Sequence, residues 1–380
     1  MMTNLGYISA TVKGVMKMER MKLEIVFFVL GLAWATPALG QLEEFDFIYG
    51  GLEDAEKLLQ AYLEPYANVL GSDLNAGWYN TARPHELGGF DVTVTVNMAS
   101  APAQLLTYDP SLLELNGDLV TGSTTLAPTI AGSMQNRPQL SYSRGITYPD
   151  GTTQDIEYAR FTLPNGAGVD YFPLPMLQLT VGLPFGTDVS GRFVPMIQLV
   201  DYGEIGLWGV GGRHSLSQWI PVIKEIKLLD IALQGGYTKV TSSVNVDVEP
   251  LDVQDPDPPV ADWDDQFVVQ QVAGWTLNLI ASQTLSVVTF YEGIGYVSSI
   301  VGLDLQGHFP VHTVIEEPGD DFGKTTYLIV EDPIAFTYEN INNLRLNVGV
   351  RLKLSVLTLH YDFTYTLYAT HSAGVGISFR

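Results

Sequence analysis

The sequence predicts an all-β fold, a transmembrane antiparallel up-and-down β-barrel of about 10 to 14 strands preceded by an N-terminal amphipathic helix. Three observations predict it. Apolar and polar residues alternate over unusually long stretches, as in Leu344, Leu346, Val348, Val350, Leu352 and Leu354 against Arg345, Asn347, Gly349, Arg351, Lys353 and Ser355. Such stretches reach the roughly 9 to 11 residues that a tilted strand needs to cross hydrocarbon. Aromatic residues (Trp275, Tyr291, Tyr296, Tyr361, Tyr365, Tyr368) lie within or beside them, where interfacial girdles are expected. Connections alternate between short and long, the asymmetry of a barrel with tight turns on one side of a membrane and large loops on the other.

In chain order, Lys17, Arg20 and Lys22 precede an apolar run from Ile25 to Ala33, Pro37 breaks it, and Ala38-Leu39-Gly40 supplies small residues. Residues 1–40 therefore read as a secretory signal cleaved after Gly40. Initiation at Met18 or Met21 would leave the same mature chain. Residues 41–86 read as a helical plug or lid. Leu52, Ala55, Leu58, Leu59, Tyr62, Leu63 and Tyr66 recur at three and four, marking a helix over 51–70 interrupted near Pro65. Its apolar stripe needs a partner: the helix either lies in the periplasm or at the interface through that stripe or enters the lumen as a plug, and the expected seat is a plug or lid at the mouth formed by the short turns.

Residues 87–380 read as the barrel. Strands are expected at 88–98, 173–184, 190–200, 204–213, 227–244, 266–281, 285–308, 344–355, 357–369 and 372–380. Inner turns then fall at 185–189, 214–226, 282–284 and 356, and large outer loops at 99–172, 245–265 and 309–343. Strand-like pieces at Ile156–Thr162 and Thr325–Val330 leave twelve or fourteen strands open. The final alternation of Ala373, Val375, Ile377 and Phe379 is of the kind that barrel-insertion machinery reads, with Arg380 as a departure after the aromatic.

Composition bounds the function. The chain carries 19 Lys and Arg against 42 Asp and Glu, a formal charge of −23. Nucleic acid is excluded as a partner, because its binding relies on cations neutralising phosphates. The absence of cysteine removes disulfides, thiolate metal sites, cysteine nucleophiles and lipidation at a cysteine. After residue 40 no apolar run approaches the roughly 18 residues of a membrane helix, so lipid must be met by strands.

Several strings carry a family resemblance: Ala61-Tyr62-Leu63-Glu64-Pro65, then Asn75-Ala76-Gly77-Trp78-Tyr79-Asn80-Thr81-Ala82 and Gly88-Gly89-Phe90-Asp91. Others are Pro173-Leu174-Pro175-Met176-Leu177-Gln178, Val181-Gly182-Leu183-Pro184, Gly212-Arg213-His214-Ser215-Leu216, Gln218-Trp219-Ile220-Pro221 and the segment from Gly374 to Arg380. Over most of the mature chain these resemble an uncharacterised domain-of-unknown-function family of Gram-negative outer-membrane-type barrels. The resemblance implies fold and envelope location and transfers no activity.

Asp255, Asp257, Asp262, Asp264 and Asp265 crowd a proline-stiffened loop, and oxygen-rich loops of this kind can gather calcium, although the spacing lacks the glycine turn and terminal Glu of an EF-hand. His308 and His312 stand four apart, but Pro310 between them spoils the helix on which that spacing would form a metal pair. Arg345, Arg351 and Lys353 share a polar strand face. They are expected either to pair with lumenal carboxylates such as Asp91, Asp230 and Asp362 or to form a basic, anion-selective constriction. His360 and Asp362 share the next strand's polar face about 7 Å apart, with no Gly-x-Ser-x-Gly elbow to make a hydrolase of them. Gly235, Gly274, Gly293, Gly295, Gly349, Gly374 and Gly376 at expected inward positions leave open whether a path runs through the lumen.

The sequence thus points to a non-enzymatic, cofactor-free outer-membrane barrel, porin- or transporter-like, admitting a small and potentially hydrophobic solute. The alternative is a sealed structural or adhesion barrel with acidic external loops, and an enzyme borne on a barrel ranks third. Outer-membrane lipid and the insertion machinery are the expected partners.

Overall fold

In the computed structural model, which describes residues 46–120, 124–199, 203–220, 228–338 and 343–380, ten strands pair in chain order and the last closes on the first. They are β1 (Phe90–Ser100), β2 (Tyr171–Leu183), β3 (Thr187–Leu199), β4 (Gly203–Ser215), β5 (Leu229–Asn245), β6 (Phe267–Leu285), β7 (Val288–Gln306), β8 (Asn343–Leu354), β9 (Leu357–Tyr365) and β10 (Ala369–Phe379). Every neighbouring pair is antiparallel, and Val94 of β1 faces Leu177 of β2 on one side and Val375 of β10 on the other. Closure leaves the ring without an edge, the condition under which strands can span a membrane. The expected signal and its cleavage after Gly40 lie outside the described residues.

One end of the ring carries three tight turns. Phe185 and Gly186 both have φ of 63°, left-handed positions within the three-residue turn between the paired Leu183 and Thr187. Ser286 (φ 56°) and Ser355 (φ 59°) open two-residue turns. The turn expected at 282–284 is displaced, because the β6–β7 ladder continues through Thr284–Thr289 to Leu285–Val288. At the opposite end the long connections fold into a cap. Asp118–Leu119, Gln139–Thr147 and Thr153–Thr162 form a three-stranded sheet, His308–Val314 pairs with Thr325–Glu331, and Ile334–Tyr338 lies beside the loop end of β7. The strand-like pieces at 156–162 and 325–330 therefore belong to this cap, and the wall has ten strands.

Outward positions are apolar, among them Leu279, Ile294, Leu346, Val348, Leu359 and Ile377. So much exposed apolar surface belongs against lipid. Trp208 stacks with Tyr237 and Trp275 with Tyr296 at centroid distances of 5.5 and 5.8 Å, while Phe90 and Phe379 meet at 5.9 Å beside the turns. From Trp275 to Leu285 the strand climbs roughly 33 Å at about 3.3 Å per residue. Tilted by about 40°, that rise is about 25 Å, the height of the apolar band between aromatic girdles. Glu292, in register with Ala281 and Val348, is a charged exception within the band. Two aromatics expected in the girdles point elsewhere: Tyr291 is buried in the lumen and Tyr368 beneath the cap.

Inside the ring runs helix α1 (Leu52–Asn75), longer than the expected 51–70 and continuous through Pro65. Leu58, Leu59, Tyr62 and Leu63 pack with Val244, Val268, Leu303 and Leu305, which sit at the loop ends of β5, β6 and β7. Leu70 and Leu74 pack lower, against Met176, Leu207, Val240, Val272 and Val301. The helix thus begins under the cap and descends, and the expected seat at the turn-end mouth is corrected. The reason is apolar burial: in the upper half of the wall, cap and strand ends supply the broad apolar partner that the stripe requires, whereas the lower inner face offers a smaller apolar cluster around Ala232, Ile280 and Tyr291.

Candidate functional site

Below α1 the chain continues down the lumen as residues 76–89 before turning into β1, and the wall is cut to receive it. Asn75 donates from Nδ2 to Ser299 Oγ (2.9 Å), and Asp73 accepts from the Ala99 amide (2.8 Å). Arg192 from β3 closes the helix end. Its guanidinium donates to the carbonyls of Leu74 (3.1 Å) and Ala76 (2.8 Å) and to Gln178 Oε1 (3.0 Å). A cation there satisfies orphan carbonyls and complements the negative end of the helix dipole.

The same guanidinium lies 3.7 Å from the centroid of Trp78, whose ring fills a niche floored by two glycines. A Cβ on Gly236 would lie 2.4 Å from the ring, and one on Gly211 2.6 Å. Gly293 makes room for Tyr79 in the same way, at 2.2 Å from its hydroxyl, and Gly274 for Asn75 at 3.0 Å. Gly211, Gly236, Gly274 and Gly293 are therefore sockets for the segment inside, while the space over Gly295, Gly349, Gly374 and Gly376 is taken by the wall side chains of Asn278, Tyr291, His360 and Thr93. Gly235, expected inward, faces out, its nearest side-chain neighbour being Leu277 at 3.8 Å. Cavities beside Trp78 and beside Leu63 and Tyr66 each hold about 20 Å³, room for one water.

Polar contacts hold the lowest stretch. Arg213 donates to the Thr81 carbonyl and to Asp188, a buried ion pair. Asp188 also receives the His85 amide (3.3 Å) and faces its Nδ1 (3.3 Å), while His85 Nε2 lies 3.4 Å from Ser378 Oγ. The Ala82 amide donates to Ser282 Oγ (2.9 Å), and Arg83 pairs with Asp230 (3.0 Å). Beneath this stretch a vestibule of about 420 Å³ opens between the turns.

The residues singled out in the sequence divide between these levels. Arg345, Asp362 and His360 come together on one wall, fully enclosed. Arg345 donates to Asn278 Oδ1 (2.8 Å) and Thr364 Oγ1 (3.3 Å) and lies 5.3 Å from the Tyr79 centroid. Asp362 accepts from Asn347 (2.8 Å) and Tyr291 (3.1 Å), and His360 Nε2 meets Thr95 Oγ1 at 3.3 Å. No direct Arg345–Asp362 pair forms; neutral donors and acceptors stand between them, and Asp230 goes to Arg83 instead. Nor do Arg345, Arg351 and Lys353 ring a constriction. One strand carries all three at different heights, and the last two line the vestibule.

Among the described residues no three His, Cys, Asp or Glu gather at metal-holding distance. Asp255 instead accepts from Thr326 Oγ1 (2.7 Å) and the Asp257 amide (3.0 Å), Asp262 from the Asp264 amide (3.1 Å), and Asp265 meets His308 Nδ1 at 2.6 Å. That last contact raises the His308 pKa. His312 is buried against Tyr49 and Tyr327, and burial pushes its pKa down to about 4. Its Nε2 accepts the Leu251 amide (3.2 Å), as a neutral ring does.

Sequence reasoning missed Trp78, Tyr79, Arg192, Arg213, Asp188 and His85. A signal existed for the wall residues: Asp188, Ser190 and Arg192 alternate with Val189, Gly191 and Phe193 and had to face the lumen. Nothing in the spacing linked them to residues 76–89.

The profile of a family of unknown function (DUF6588) matches residues 18–379. A comparison with curated proteins finds no match. Among solved structures, the translocator domain of the autotransporter NalP from Neisseria meningitidis is 9% identical, with 88% of this chain and 99% of that chain covered and a TM-score of 0.28. The transport unit of the autotransporter AIDA-I from Escherichia coli is 8% identical, with 83% and 99% covered and a TM-score of 0.26. The outer membrane protein opdK from Pseudomonas aeruginosa is 10% identical, with 77% and 98% covered and a TM-score of 0.12. With likenesses this distant, the barrel rests on its own closed ladder of strand pairings.

Proposed function

We propose, since the chain belongs to that family of unknown function and takes no activity from it, that it is a sealed outer-membrane barrel that presents a folded acidic cap outside the cell. In this reading the turns face the periplasm, residues 46–86 are the barrel's own plug, and no chemistry is done on a substrate. The observation that carries it is the socketing of Trp78 over Gly211 and Gly236 beneath a guanidinium, which fills the bore at mid-height with side chains of the same chain. A standing diffusion pore needs a continuous polar channel. The test is planar-bilayer recording of the refolded full chain. No steady ion current is expected, and brief openings are expected in Trp78→Ala, where the socket is emptied. A steady open-pore current from the unaltered chain would defeat the reading.

A second reading, gated passage of a small solute, is favoured by one observation: the vestibule of about 420 Å³ lies directly beneath the plug. The two separate in the same recording, because a gate yields solute-dependent current from the unaltered chain and a seal yields none.

A further inference from the structure

The vestibule has a charge character opposite to that of the chain. Overall, 19 basic side chains face 42 acidic ones. Around this cavity the ratio inverts: Arg83, Arg351, Lys353 and Arg380 line it with Glu86 as the one carboxylate side chain among its described lining residues. Arg83 is already paired with Asp230. Arg351 is not paired. It is 7% exposed, it makes no hydrogen bond or ion pair among the described residues, and its Nε is buried without a partner. Asp91 is the carboxylate that acts on it across space, yet Asp91 bonds Thr93 and leaves its own second oxygen unpartnered. Lys353, two residues on and on the same face, has a single long contact from Nζ to Ser378 Oγ (3.4 Å).

A guanidinium largely withdrawn from water is normally satisfied by an anion or by buried acceptors. Asp91 acts on Arg351 only across space, while the cavity beside Arg351 has room for several non-hydrogen atoms and a second cation at its wall. We propose that the turn-end vestibule is an anion site, in which Arg351 and Lys353 together hold an oxyanion group, a carboxylate or phosphate. The guanidinium contributes paired, directional N–H donors and the ammonium a point charge, a combination suited to two oxygens of one group. The ligand reaches it from the side of the short turns, either as a free solute or as the headgroup of an anionic phospholipid in the leaflet around those turns. The inference is independent of whether the lumen conducts, since the site lies below the plug and needs no passage.

The test uses the refolded full chain in zwitterionic detergent, with inorganic phosphate and succinate titrated by calorimetry at constant ionic strength. A parallel arm compares nanodiscs of phosphatidylcholine alone with nanodiscs containing phosphatidylglycerol, read by thermal stability. Saturable binding of a free anion, weakened at least tenfold in Arg351→Gln and in Lys353→Gln but unchanged in Lys239→Gln on the outer wall, supports the site with a soluble ligand. Stabilisation by phosphatidylglycerol alone, lost in the same two variants, supports it with a headgroup. Lys353→Gln keeps the test decisive should Arg351→Gln fail to refold, because Lys353 is only partly buried. Anion binding in neither arm, or binding that both variants retain, overturns the proposal.

Discussion

Two adjacent glycines should answer oppositely to the same added methyl group. Gly235 and Gly236 share a strand, but one faces lipid and the other the plug. An alanine Cβ at Gly236 would lie 2.4 Å from Trp78 Cε2 and 2.7 Å from two further ring carbons, against an optimal carbon separation of about 3.5–4.0 Å. The ring cannot slide away cheaply, because Arg192 lies 3.7 Å from its centroid and a Cβ at Gly211 would already be 2.6 Å from it. Overpacking of this kind costs about 1–3 kcal/mol, which is roughly five- to a hundredfold in the equilibrium for lifting residues 77–82 out of place. At Gly235 the nearest atom is 3.8 Å away, so the substitution should be neutral or stabilising by up to about 1 kcal/mol through the unfolded state. Hydrogen exchange on the refolded barrel, followed by mass spectrometry over residues 73–85, reads the difference directly. Combining Gly236→Ala with Trp78→Ala should remove the penalty of the methyl, since neighbours that clash are not additive. Equal protection in Gly235→Ala and Gly236→Ala would refute the socket.

Asp188→Asn should leave Arg213 buried without its counter-charge and cost about 3–5 kcal/mol, read as a fall in the urea midpoint of the refolded barrel; an unchanged midpoint would mean that the pair contributes nothing to the plug's seat. Leu279→Arg, on the outer wall near the middle of the apolar band, should cost about 2–4 kcal/mol in lipid, whereas Glu292→Leu should raise stability; the reverse order would deny hydrocarbon as the outer solvent. His312 has a folded pKa of about 4 against roughly 6.5 when unfolded, so the unfolded state binds the extra proton. The cap's stability is then complete above about pH 6.5 and declines as pH falls toward 4, by at most about 3 kcal/mol. Limited proteolysis of the cap between pH 8 and 4, compared with His312→Gln, should show this slope and its flattening in the variant.

The wall was legible because period-two alternation is set by what lies on either side of it, lipid without and packed polar groups within. All ten strands fell within a few residues of expectation, even at Asn343–Leu354, where Arg345, Arg351 and Lys353 mark the inner face. Turn positions were less legible. The β6–β7 hairpin turns at left-handed Ser286, a conformation uncommon for a non-glycine residue. The lumen was least legible of all. An inward glycine reads identically whether it leaves space or receives a ring, and only the folded path of residues 76–89 decides between them. For the same reason the polar face of β8 suggested a ring of charge, when its cations are distributed by height, Arg345 to the plug and Arg351 and Lys353 to the vestibule.

The two halves of the plug are held by different physics, and this bears on how the lumen could open. Helix α1 is kept under the cap by burial of Leu58, Leu59, Tyr62, Leu63, Leu70 and Leu74. At about 1.5–3 kcal/mol for each fully buried side chain, withdrawing it whole costs about as much as the net stability of an ordinary domain. Residues 77–86 are held by two ring sockets, hydrogen bonds and the Asp188 network, of which the polar contacts are ones that water and ions can replace in steps. Opening from the turn end should therefore release 77–86 while α1 stays protected, and an opening of that extent would widen the vestibule. Exchange rates should fall into two classes, faster below Ala76 and slower above it, with high salt accelerating the lower class alone. If both stretches exchange as a single unit with one salt dependence, the plug moves as a whole and this division is wrong.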